Sequence, residues 1–114
     1  MEAKEKAGWT TGNNGGVTPE QIEMWKAKHR RIYAVEVVDG NEAHTGYFRR
    51  PDMETISAVR KLGKTDEIKG ANALFDNSWL GGSTLLREDA VLKLAAIGQL
   101  DSLTEKVTSA IKNL

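Results

Sequence analysis

Residues 47–83, YFRRPDMETISAVRKLGKTDEIKGANALFDNSWLGGS, decide the fold. Pro51 cannot donate to a β-ladder, so the strand that carries Tyr47 and Phe48 stops there and a helix begins. Met53, Ile56, Val59 and Leu62 recur at three-residue spacing, which makes them the expected inner face of that helix, and Gly63 closes it. Thr65 is the expected cap of a second helix, with Asp66 and Glu67 in its first turn to complement the dipole. Its expected buried stripe is Ile68, Ala71, Leu74, Phe75 and Trp79, and Gly81 and Gly82 read as a strong stop.

Upstream, the apolar period switches to two. In RIYAVEVV, residues 31–38, Tyr33, Val35 and Val37 point one way while Ile32, Ala34, Glu36 and Val38 point the other. Asp39, Gly40 and Asn41 supply turn residues, and residues 43–50, AHTGYFRR, return as the partner strand. A turn on Gly40 and Asn41 sets Tyr33 opposite Phe48, and a turn on Asp39 and Gly40 slides the pairing by two. Both registers keep Tyr33, Val35, Val37 and Phe48 on one face. A lone two-stranded ribbon is barely stable in water, so helices or a neighbour's strands must cover it.

Residues 1–16 mix charge with Gly and Asn and read as a disordered leader, with Trp9 its one apolar anchor. Residues 17–114 read as a single domain. Thr18, Pro19 and Gln21 spell a helix start, with Thr18 as N-cap and Gln21 completing a capping box, and Ile22, Trp25 and His29 share one face. At the other end, apolar positions continue through Leu85, Leu86, Val91, Leu94, Ile97, Leu100, Leu103, Val107, Ile111 and Leu114. That spacing predicts a long helix from about Arg87, with Gly98 as a break point and Asp101 as a restart. The fold class is therefore α+β: an N-terminal helix, a β-hairpin, then three or four helices packed on one face of the sheet, ending in a long C-terminal helix. The apolar stripe is longer than so small a domain needs for its own core. It reads as a partner-binding or self-associating face, with Leu100, Leu103, Val107 and Ile111 as contacts and Trp25, Arg49 and Arg50 as secondary candidates.

The 114 residues carry 16 Lys plus Arg and 16 Asp plus Glu, so no net field steers the whole molecule toward nucleic acid or an anionic membrane. There is no cysteine, which removes disulfides, thiolate nucleophiles and zinc–thiolate sites together and fits a reducing cytoplasm. No stretch approaches the ~20 apolar residues of a membrane span. The histidines, His29 and His44, lack a third ligand at metal spacing. Glu67, Asp76, Glu88 and Asp89 sit where capping and solvation explain them, and Ser57, Ser78 and Ser83 lack a nucleophile-elbow context. No catalytic, cofactor or metal residue is assigned, and an enzyme is not expected. Lys26, Lys28, His29, Arg30 and Arg31, with Arg49 and Arg50 returned by the hairpin, gather positive charge at one end. They read as a solvated edge that discourages strand-to-strand aggregation, with nucleic-acid phosphates or an acidic partner as the functional reading.

The segments FRRPDMETISAV and KTDEIKGANALFDNSWLGG carry a resemblance, through Phe48, Arg50, Pro51, Asp66, Ala71, Leu74, Trp79, Leu80, Gly81 and Gly82. Over residues 32–114 the chain resembles the small tail assembly chaperones of long-tailed bacteriophages and prophages, although Ser78 stands where that family often has cysteine. The resemblance implies a non-enzymatic protein of the host bacterial cytoplasm that binds the tape-measure protein, keeps it soluble and hands it to tail-tube subunits, with no cofactor and no membrane. The alternatives are a structural tail or connector subunit, which would form closed homo-oligomeric rings, and a small nucleic-acid-binding regulator using the basic cluster.

Overall fold

The computed structural model describes residues 11–114. Its elements are β1 (Thr11–Asn13), α1 (Pro19–Lys28), β2 (Ile32–Asp39), β3 (Glu42–Arg49), α2 (Met53–Gly63), α3 (Glu67–Ser78), β4 (Trp79–Gly82), α4 (Leu85–Glu88) and α5 (Ala90–Asp101), then a 3-10 segment over Ser102–Lys106. Among the described residues this is an α+β fold of five interleaved helices and a four-stranded mixed sheet. None of its helices is long and apolar enough to cross a membrane.

The hairpin turns on Gly40 and Asn41, so Tyr33 faces Phe48 and Asp39 faces Glu42. Gly40 has φ +63° and Asn41 does not enter the positive region, which is the backbone that a two-residue turn of type II′ requires. β3 is the centre of the sheet. β2 lines one side of it, while β1 (parallel, at Glu42–His44) and β4 (antiparallel, at Gly46–Phe48) share the other side end to end. Where those two short strands meet, a Cβ on Gly15 would collide with the carbonyl of Gly82, so the joint closes only with glycine. Two expectations are corrected here. Thr11–Asn13 falls in the segment read as a disordered leader yet forms β1, because β3 offers it an unpaired edge, and residues 14–16 turn on from it; residues 1–10 of that reading, including Trp9, lie outside the described residues. Trp79–Gly82 is a strand rather than a helix terminator, because the same edge is open further along.

The core lies under the face that carries Val35, Val37 and Phe48, against Leu74, Phe75, Leu86, Leu92, Ala96, Ile97 and Leu100. Phe48 meets Phe75 and Trp79 edge-on at 5.2 and 5.5 Å, and Phe75 stacks on Trp79 at 5.4 Å. Each such pair contributes about 0.5–1.5 kcal/mol beyond its area burial. The opposite face is covered by α1. Adjacent strand residues point to opposite faces, and Tyr47, the neighbour of Phe48, receives the ring of Trp25 at 5.8 Å. The start of α1 matches its sequence: Gln21 N–H donates to Thr18 Oγ1 at 3.2 Å, and Thr18 N–H donates to Gln21 Oε1 at 3.0 Å.

The helices of the second half differ from their apolar spacing. In α2 the inward residues are Thr55, Ile56 and Val59, whereas Met53 is 76% exposed and Leu62 is exposed too. α2 crosses α3 at Gly70, whose missing Cβ lets the two backbones approach by Val59 and Gly63, and that contact sets its roll. The cap of α3 is Asp66, not Thr65, and Ile68 faces solvent. The long C-terminal helix is broken: Asp89 closes α4 with its backbone N–H and opens α5 by accepting from Val91 and Leu92. Gly98 sits inside α5 without a break, and Asp101 is its last residue rather than a restart. Leu92 is buried where Val91 was expected, Val91 and Leu94 are exposed, and residues 107–114 form no helix.

Candidate partner-binding groove

The chain leaves β3 at Arg49, and its next residues split between two tasks. The guanidinium of Arg49 donates to Asp52 Oδ2 and Thr55 Oγ1, both at 3.3 Å, and so braces the first turn of α2. Asp52 caps that turn by accepting the Thr55 N–H at 2.8 Å. The Thr55 N–H, reinforced by its hydroxyl and by Arg49, holds the Asp52 carboxyl below its ordinary value of 3.8. Arg49, expected at a partner surface, is engaged within its own fold. Arg50 and Pro51 instead turn to the rim of a groove of about 490 Å³.

That groove lies between α2, α3 and the end of the chain. Leu74 and Leu100 form its buried floor, Ile56, Val59 and Leu103 are half-buried walls, and Val107, 56% exposed, closes one end. Arg50, Arg60 and Asp101 edge it. Neither arginine makes an ion pair among the described residues, so their charges are available to an incoming group. Apolar walls with a few charged groups at the margin bury side chains and orient what carries them.

The sequence-derived contacts are thus divided. Leu100, Leu103, Val107 and Arg50 converge on one groove. Leu100 is 3% exposed and belongs to the core as much as to the groove. Ile111 stands 99% exposed in the non-helical tail, outside it, because the helix that would have carried it in line stops at Asp101. Trp25 is on the opposite side of the sheet, half-covered by Tyr47 and by the close approach of Gly81. Ile56 and Val59, expected only as core, and Arg60, which no sequence pattern singles out, complete the site. Their proximity to Leu103 follows from how α2 lies on α3, and no local pattern encodes it.

A second depression is lined by Thr84 and four charged side chains, Asp76, Arg87, Glu88 and Lys93. Lys93 pairs with Asp76 at 3.4 Å and lies 4.9 Å from the Phe75 ring, while Arg87 stacks over Trp79 at 5.6 Å. Lys93 ties α5 to α3, Arg87 ties α4 to β4, and both cover the aromatic cluster. Elsewhere, His44 Nδ1 lies 3.0 Å from Ser83 Oγ and its Nε2 lies 3.1 Å from Glu42 Oε1. Serine, histidine and carboxylate are in line, yet Ser83 is fully buried and none of the three lines either depression. The chain of bonds is a strut between β3 and the residue after β4. Among the described residues no three His, Cys, Asp or Glu side chains group as metal ligands.

Comparison with known proteins found no matching family model, no matching curated protein and no matching solved structure. The likeness to tail assembly chaperones therefore stands on the residues quoted for it, and the groove stands on its own geometry.

Proposed function

We propose that this chain is a non-enzymatic tail assembly chaperone of a phage or prophage, which holds amphipathic helical segments of a tape-measure protein in the groove between α2, α3 and Leu100–Val107. The observation that carries the reading is the convergence of Leu100, Leu103, Val107 and Arg50 with Ile56 and Val59 around one apolar depression. An apolar groove of this kind takes the apolar face of a helix, with anchors at three- and four-residue spacing. The rim selects among such helices. Arg50 and Arg60 favour a segment whose apolar stripe is flanked by acidic residues, and the charge steers encounter more than it adds affinity.

The test is to sequence the DNA around this reading frame and, where it encodes a long helical protein, to co-express the two and co-purify them. Wild type should capture that protein. Leu103→Asp and Val107→Asp should each keep the circular-dichroism spectrum and melting behaviour of a folded domain while losing capture. Loss of folding in Leu103→Asp together with full capture by Val107→Asp refutes the groove. A gene neighbourhood with no tail components refutes the chaperone assignment and leaves the groove to another helical partner.

A further inference from the structure

We infer that Arg31, Arg50 and Arg60 form a carboxylate-binding subsite at the edge of the groove, which takes acidic residues clustered beside the apolar stripe of a docked helical segment. The inference rests on the groove being the binding site. It adds to partner recognition Arg31, which lines neither depression.

The register of the hairpin brings the three arginines to one place. Ile32 pairs with Arg49, so one step further along Arg31 stands across from Arg50, with the two backbones about 5 Å apart. Side chains alternate between the faces of a sheet, and Tyr33 shares the core face with its partner Phe48. Two residues on from each, Arg31 and Arg50 follow onto that same face. There Arg50 meets the rim of the groove, and Arg60 reaches the same rim from α2.

Like charges directly opposite each other on one face of a ladder destabilise it. The chain does little to offset them. Asp52, the acid nearest to Arg50 in sequence, is engaged by Arg49 and by the Thr55 N–H. Asp101 is the one acid on the rim. None of Arg31, Arg50 and Arg60 makes an ion pair among the described residues. Three guanidiniums held together against one carboxylate are an arrangement that an incoming anion relieves, and their planar forks match carboxylates two bonds at a time. The cluster borders the aliphatic walls of Ile56 and Val59 rather than an aromatic platform, and the chain carries no net positive charge. Nucleic acid would therefore gain neither stacking nor long-range steering here. A helix that offers apolar anchors and adjacent acids uses both parts of the surface.

Two synthetic helical peptides test the inference. Both carry leucines at three- and four-residue spacing, followed by a run of glutamates in one and of glutamines in the other. Calorimetry with the full chain should show the glutamate peptide binding about tenfold tighter at low salt, with the gap closing near 1 M salt. Arg31→Glu should lose most of that preference, leave the glutamine peptide unaffected and not lower the melting midpoint, since it sets opposite charges across the ladder. Val107→Ser should weaken both peptides alike. Equal binding of the two peptides, or a preference that survives Arg31→Glu, overturns the inference and leaves the groove standing. Failure of both peptides to bind overturns the two together. Tighter binding of a DNA duplex than of the glutamate peptide, lost in Arg31→Glu, also overturns it and gives the arginines to phosphates.

Discussion

Gly82→Ala adds one methyl group at the seam of the sheet, and its cost has two separate sources. Gly82 has φ +138°, a region that residues with a side chain occupy only under strain, at about 1–3 kcal/mol. Its new Cβ would also lie 2.5 Å from the Thr45 carbonyl oxygen and 2.6 Å from the Gly46 Cα. Both are backbone atoms of the central strand, so no rotamer change relieves the overlap and β3 or β4 must shift. Overpacking of this kind costs about 1–3 kcal/mol. Together the two give a loss of about 2–6 kcal/mol, a large fraction of the roughly 5–15 kcal/mol that holds a domain together. For a chain of this length the midpoint of thermal unfolding should fall by about 8–25 °C. Gly98→Ala is the matched control: it is the same chemical change in an exposed turn of α5, where the added Cβ meets nothing within 4 Å. It should stabilise by about 0.4–1 kcal/mol. Urea melts of wild type and both variants read the pair of signs. A Gly82→Ala variant within about 1 kcal/mol of wild type, or a Gly98→Ala variant that is equally destabilised, refutes the account of the seam.

Two further outcomes follow from the caps. Asp89→Ala removes the acceptor for the Val91 and Leu92 N–H groups, 2.9 and 3.1 Å away, and should cost about 1 kcal/mol in a denaturant melt. Asp52 has a folded pKa depressed below 3.8 by the Thr55 backbone N–H, then its hydroxyl and Arg49, so the stability it contributes is present at neutral pH and lost as pH falls through the folded value. The stability difference between wild type and Asp52→Asn should therefore close below about pH 3.8, and a difference unchanged down to pH 2 excludes the linkage.

Local chemistry was legible and distant pairing was not. The capping box at Thr18 and Gln21, the hairpin and its face, and the burial of Leu74 and Phe75 each depend on residues within a turn or two of one another. β1 and β4 were not readable as strands, since Thr-Gly-Asn and Trp-Leu-Gly-Gly have neither alternation nor length, and each is extended only because β3 has an edge to fill. The roll of α2 escaped for a related reason. Apolar spacing chose Met53, Ile56, Val59 and Leu62, but contact at Gly70 kept Ile56 and Val59 inward, added Thr55 and left Met53 and Leu62 exposed. Four of the seven expected contact residues line the groove; Ile111 lies outside it because α5 stops at Asp101, and Trp25 and Arg49 make contacts within the fold.

The position of β3 between partners drawn from both ends of the chain implies an order of assembly. Only the pairing with β2 is local, so the hairpin is the piece that can form early, on the microsecond scale of isolated hairpins. β4 must wait until α2 and α3 have folded back and delivered Trp79 to Phe48. β1 is parallel to β3 and abuts β4 at the Gly15–Gly82 joint, which makes it the closing piece, seated when both neighbours are in place. The last piece to seat is the first that can leave: detaching β1 frees the amino-terminal side of the chain while the hairpin, the aromatic cluster and the groove stay assembled.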